Sequence, residues 1–174
     1  MSIFFRRIFV SLVISFIQIG VVDASPNNGR ENVSSLERLV TSIYKEYAWT
    51  ILFGVEPRLD AAIPLSQEGI GKLRKVFTDD LAIAISKDAQ CANKTREICL
   101  LDFDILFDSQ DSDARDLSIR SVTEHTVEVC FLDQADLRRC FEFVGVKEKK
   151  GERIREIRYD KIGRSLRAIL KLKV

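Results

Sequence analysis

The chain has only one histidine, one tryptophan and three prolines in 174 residues, and its eight glycines form no phosphate-cradling run. Nucleotide hydrolysis therefore has no support. With a single His and no C-x-x-C pair, a zinc centre lacks its usual ligand spacing. Neither charge dominates: 27 basic and 26 acidic side chains leave a formal charge of +1. That balance removes global electrostatics as a pointer to nucleic acid. The 30% charged and 46% hydrophobic content suits a folded soluble protein and excludes disordered, collagenous and multi-span membrane classes.

Long apolar runs are also missing, except at the N-terminus. Arg6 and Arg7 precede the 15-residue stretch Ile8 to Val22, shorter than the ~20 residues a spanning helix needs. Val22-Asp23-Ala24 places small residues at the −3 and −1 positions of a secretory cleavage site. The expectation is a signal peptide over residues 1–24, an Asn/Gly/Pro-rich leader over 25–33 and a single domain over 34–174; an uncleaved anchor is the competing reading. Cleavage would leave no membrane span, 25 basic and 25 acidic side chains, and a periplasmic or secreted product. The balance hides a segregation. Acids outnumber Arg115 and Arg120 across residues 102–136, whereas residues 147–173 carry eleven Lys or Arg against four acids. Either these segments neutralise one another in the fold, or they form a dipolar surface for a charged partner.

What is present is four cysteines, Cys91, Cys99, Cys130 and Cys140. In an exported chain they imply disulfides, with three possible pairings. Val127, Val129 and Phe131 alternate with Glu128 and Cys130, and Phe141 and Phe143 alternate with Cys140 and Glu142, so both segments read as half-buried strands. A hairpin centred on Ala135 opposes Cys130 to Cys140, Val129 to Phe141 and Val127 to Phe143. Directly opposed cross-strand cysteines can meet disulfide geometry, leaving Cys91–Cys99 to close a short polar loop through Asn93-Lys94-Thr95. Crossed pairings remain the alternative. The same register opposes Glu128 to Glu142, a like-charge cost that Arg120 or Arg155 could relieve.

Ser34 and Glu37 form an S-x-x-E capping box, and Leu36, Leu39, Val40, Ile43, Tyr44, Tyr47 and Ile51 follow at helical spacing toward Gly54. Tyr44, Tyr47 and Trp49 are read as core before they are read as a ligand-stacking box. A second helical tract begins near Ser66, with a break signal at Thr78-Asp79, and continues to about Ser86. Strands are expected over Leu117–Thr123, His125–Asp133, Arg138–Lys147 and Arg153–Tyr159, then a short basic helix or strand over Gly163–Leu172. Helices first and an antiparallel meander afterwards is an α+β order, with one curved sheet wrapping the first helix.

Three stretches carry a family resemblance: Ile43-Tyr44-Lys45-Glu46-Tyr47-Ala48-Trp49, the Asp-Phe-Asp…Ser-Gln-Asp run from Asp102 to Asp111, and Arg153-Ile154-Arg155-Glu156-Ile157-Arg158 followed by Leu166-Arg167-Ala168-Ile169-Leu170. Together they resemble the bacterial exported DUF3828 family, whose members look like NTF2-like domains. The four cysteines and the lack of a Trp before Ile154 depart from its pattern. The resemblance implies a cone-shaped α+β fold with a cavity between helix and curved sheet, and no established activity.

The expected function is a disulfide-stabilised binding or interaction protein with no catalysis and no cofactor of its own. Its partner would be a small molecule in the cavity or an envelope or extracellular protein on the charged faces. Candidate ligand-binding residues are Tyr44, Tyr47, Asp104, Gln110 and Asp111, with Gln110-Asp111 as a polar pivot at the cavity mouth or sheet edge. The alternative is a cavity enzyme of isomerase or hydrolase type. Its carboxylate base would be Asp104 or Asp111, with Tyr44 or Tyr47 as neutral donor. Against it, Asp between apolar residues commonly caps turns. Asp108, Asp111, Asp113 and Asp116 raise the question of calcium, but no Gly stands at the sixth loop position and Val122 occupies the twelfth from Asp111. His125 has no nucleophile at readable spacing and is read as structural or exposed.

Overall fold

The computed structural model describes residues 33–53, 63–110 and 113–173. The expected signal peptide, nearly all of the leader, and Asp111 lie outside the described residues. Ser34 caps α1 (Ser35–Tyr47), its hydroxyl accepting the Glu37 N–H at 3.1 Å. Only half of the capping box forms. The Glu37 carboxylate turns instead to Ser121, accepting its N–H at 2.9 Å and its hydroxyl at 2.6 Å. The apolar spacing then buries Leu36, Val40, Ile43 and Tyr44. The expected continuous helix breaks at Ala48, where the chain restarts as α2 (Trp49–Phe53). The break turns Trp49 outward to 55% exposure, correcting its place in the core.

A short 3₁₀ turn at Leu65–Gln67 leads to α3 (Ile70–Val76) and α4 (Asp79–Thr95), separated at the expected Thr78-Asp79 junction. Helix α4 does not stop near Ser86. It continues through Cys91 and Asn93-Lys94-Thr95 to a left-handed residue, Arg96 at φ 57°. The expected polar loop between Cys91 and Cys99 is therefore mostly the last turn of a helix. The segment looks loop-like because that end of α4 is mostly exposed and so carries no apolar period.

Four strands follow: β1 (Arg115–Thr123), β2 (Thr126–Leu132), β3 (Arg138–Glu148) and β4 (Gly151–Arg158). They form one antiparallel sheet in the order β1-β2-β3-β4. The α+β class is thereby established. The β2–β3 register is the expected one, with Cys130 facing Cys140, Val129 facing Phe141 and Val127 facing Phe143. Both expected disulfides are present, with Cα separations of 6.2 Å for Cys91–Cys99 and 4.1 Å for Cys130–Cys140. Gly151, at φ 114°, makes the β3–β4 turn. Register shifts interrupt β1 between Arg115 and Ser118 and again between Ser121 and Thr123. On the far edge, Phe77 bridges Ile154 and Ser165 bridges Arg158, so β4 is covered by the α3–α4 junction and by the segment entering α5 (Leu166–Ile169).

Helix α1 packs on β1, β2 and β4. Between it and the sheet, seven rings touch edge to face in one chain: Phe143, Tyr44, Phe107, Phe131, Phe141, Tyr159 and Phe103, with centroids 5.2–6.0 Å apart. Six of these seven are buried, Phe103 partly so. The Tyr44 and Tyr159 hydroxyls donate to the Leu106 and Ile105 carbonyls at 2.6 and 3.0 Å, so the ring chain also anchors the 105–107 turn. Among the described residues, no helix is long and apolar enough to cross a membrane.

Candidate functional site

The described residues among those proposed from sequence, Tyr44, Tyr47, Asp104 and Gln110, do not assemble into one site. Tyr44 lies in the ring chain, and burial raises its hydroxyl pKa well above the ordinary value, with nearby Asp104 adding to the effect. Among the described residues, Asp104 is thus the candidate carboxylate close to Tyr44. Its Oδ1 accepts the Leu106 N–H at 2.8 Å, the turn-capping role common for Asp between apolar residues. Tyr47 stands apart in a surface network between α1 and α3. Its hydroxyl donates to Glu68 at 3.0 Å and accepts from Lys72 at 3.2 Å, while Lys72 also bridges Glu46. Gln110 donates to Asp102 at 3.2 Å on the exposed surface. Asp108 does not offer its charge to a cation, because Arg164 and Arg139 both pair with it. His125 is exposed in the β1–β2 turn.

Burial raises the Asp104 carboxyl above its ordinary value, against a smaller opposing pull from the Leu106 N–H. The folded state therefore holds this proton to higher pH than the unfolded chain does. Stability contributed by the neutral form is full below the unfolded pKa and is lost as pH rises through the folded one. Asp104→Asn keeps an acceptor for Leu106 without ionising. The variant is expected to match the wild-type melting temperature at acidic pH and to exceed it at neutral pH. Two melting curves displaced equally at every pH would refute this.

A different constellation emerges on the outer face of the sheet. Strand pairing sets Arg120, Glu128, Glu142 and Arg158 in one transverse row across all four strands. The two opposed glutamates are relieved from either side, Glu128 by Arg120 at 2.7 Å and Glu142 by Arg158 at 3.1 Å. Arg120 was one of the two expected partners; Arg158 takes the place of Arg155. A bulge lies two residues away, between Val144 and Gly145. Val144 faces Glu156 and Gly145 faces Ile154, which leaves Arg155 as the extra residue, opposite nothing.

Arg155 and Lys161 border an open depression of about 570 Å³ beside this row. Its four carboxylates are all engaged. Besides Glu128 and Glu142, buried Glu156 accepts from Ser165 Oγ and the N–H groups of Ile157 and Arg167, all within 3.1 Å. Asp160 Oδ1 accepts the N–H groups of Ile162, Gly163 and Arg164 within 3.0 Å, shaping the loop that carries Lys161. Arg164 pairs with Asp108 and stacks over Phe103 and Tyr159, and Arg167 holds Asp80 at 2.7 Å. Arg155 and Lys161 have no side-chain partner among the described residues. The basin is therefore a surface with two unmatched cations in a frame of satisfied charges. The basic C-terminal segment was visible in the sequence, but which of its cations remain unmatched follows from the bulge and the Asp160 loop. No protein-family model matches this chain, and no curated protein and no solved structure matches it either.

Proposed function

We propose that this chain is an exported, disulfide-stabilised binding protein with no catalysis of its own, acting in the periplasm or outside the cell. Its partner is an envelope or extracellular protein that presents acidic side chains to the basin at Arg155 and Lys161. The observation that carries this reading is the pair of unmatched cations among carboxylates that are already engaged. The filled ring chain supports it too, because the space that an NTF2-like cone of the DUF3828 kind would reserve for a ligand holds side chains here. The disulfides fit an oxidising compartment. The Tyr44–Asp104 pair gives an isomerase- or hydrolase-type reading little support, since both groups are tied to backbone at the 105–107 turn.

A photo-crosslinking residue at position 162, next to Lys161 and 94% exposed, in cells that produce the protein, tests the proposal. One dominant adduct is expected in the extracytoplasmic fraction. It should fade with Arg155→Glu and with rising salt, because exposed charge pairs are screened over ~8 Å at physiological ionic strength. An adduct indifferent to both, or none, would overturn the charge-docking reading, and an adduct confined to the cytoplasm would overturn export.

A further inference from the structure

A second depression differs from the basin in chemistry and in lining, and meets it only at the Arg167–Asp80 pair, where Asp80 borders the one and Arg167 the other. It is an open trough of about 590 Å³ along the exposed flank of α4. Ile83, Ala84, Lys87 and Cys91 recur at the spacing of one helix face and form one wall. Leu170 and Leu172 from the C-terminal tail, and Leu100 beyond the Cys91–Cys99 disulfide, supply the others. Three separate chain segments thus surround it, and the disulfide ties one of them to α4.

Its polar groups can be accounted for one at a time. Asp80 is engaged by Arg167 at 2.7 Å and by the Thr78 hydroxyl at 2.7 Å. Asp88 is buried, and its two oxygens accept the N–H groups of Leu100 and Leu101 at 2.8 and 3.2 Å. Those bonds satisfy the backbone where the chain leaves the disulfide loop. Of the charged groups that line the trough, Lys87 is the one without a partner among the described residues. A lysine lays its aliphatic stem along an apolar wall and keeps its ammonium at the rim. The trough therefore pairs a continuous apolar wall with one uncompensated positive charge, at a volume within the range of small-molecule sites.

We propose that this trough binds a free fatty-acid anion, its hydrocarbon chain along Ile83, Ala84, Leu100, Leu170 and Leu172 and its carboxylate on Lys87. The charge selects the head group: a cationic amphiphile would meet Lys87 as a like charge, and an acidic protein segment would leave the aliphatic walls exposed. This site is independent of the basin at Arg155 and Lys161.

Calorimetric titration of the disulfide-intact protein with sodium dodecanoate, below its micellar concentration, tests the assignment. One equivalent is expected to bind, and dodecyltrimethylammonium is expected to bind measurably more weakly. Lys87→Met keeps the stem and removes the charge, so dodecanoate affinity should fall about fivefold, the scale of one rim ion pair. Ala84→Phe fills the trough from a partly exposed position and should abolish binding with an unchanged melting temperature. Arg155→Glu with Lys161→Glu should leave it intact. The proposal is overturned by no binding, by equal affinity for the two head groups, or by full affinity in Lys87→Met or Ala84→Phe. It is also overturned by loss of binding in the basin variant. Co-sedimentation with phosphatidylglycerol vesicles without dodecanoate binding would assign the trough to a bilayer surface instead, and would equally refute it.

Discussion

Tyr44→Ala is expected to destabilise the fold by about 3–5 kcal/mol, the range for deleting a large buried aromatic side chain. Tyr44 is 1% exposed and touches both Phe107 and Phe143, so its removal opens a hole in the middle of the ring chain. Phe107 cannot collapse into it easily, because Phe131 holds it edge to face and is itself held by Phe141. Tyr44→Phe separates the two contributions. It keeps the ring and strips the bond to Leu106, leaving a buried carbonyl without its donor for about 1–2 kcal/mol. Urea unfolding at unchanged m-value measures both. A Tyr44→Ala loss no larger than that of Tyr44→Phe would mean that the ring itself contributes little.

The second large effect is expected at Gly145. A Cβ built there would lie 2.7 Å from Leu36 Cδ1, 2.9 Å from Leu36 Cδ2 and 2.8 Å from Glu152 Oε1. Leu36 is fully buried on α1, and Glu152 Oε2 holds the Ser35 hydroxyl at 2.9 Å, so neither neighbour moves freely. Gly145→Ala should therefore cost about 2–3 kcal/mol through overpacking. Leu36→Val alone should cost about 1 kcal/mol, yet in the Gly145→Ala background it should restore stability by relieving the contact. Strict additivity of the two substitutions would sink the explanation. Gly145 is also the residue at which β3 and β4 slip register, so the close approach of α1 and the re-aiming of Arg155 share one origin.

The parts of the fold legible in the sequence were those in which alternation and chemistry agreed. In β2 and β3 the apolar faces and the opposed cysteines demanded the same register, and Asp133 sets the turn by accepting the Ala135 and Leu137 N–H groups. Helix α1 was legible because its buried face repeats. Helix α4 was only half legible: its first turns bury Leu81, Ala82 and Ile85, whereas the turns around Asn93-Lys94-Thr95 face solvent and leave no pattern. The candidate site was the least legible part. The helical spacing predicts Tyr44 in the core, where it lies, but nothing local indicates that its hydroxyl meets Leu106, 62 positions away. The unmatched state of Arg155 and Lys161 is a matter of which acids other residues have already engaged, and that is settled only by tertiary pairing.

The interruptions in β1 bear on how this protein behaves at high concentration. An uncovered sheet edge is a template on which another chain can add a strand. Here β4 is closed off by its bridges to Phe77 and Ser165, so β1 is the edge left to guard. Asp116, at φ 53°, kinks its beginning, and Glu37 occupies the Ser121 N–H near its end. Only the short run from Ser118 to Arg120 remains straight and unblocked, with a charged side chain at its close. That is too little ladder for a second copy to extend.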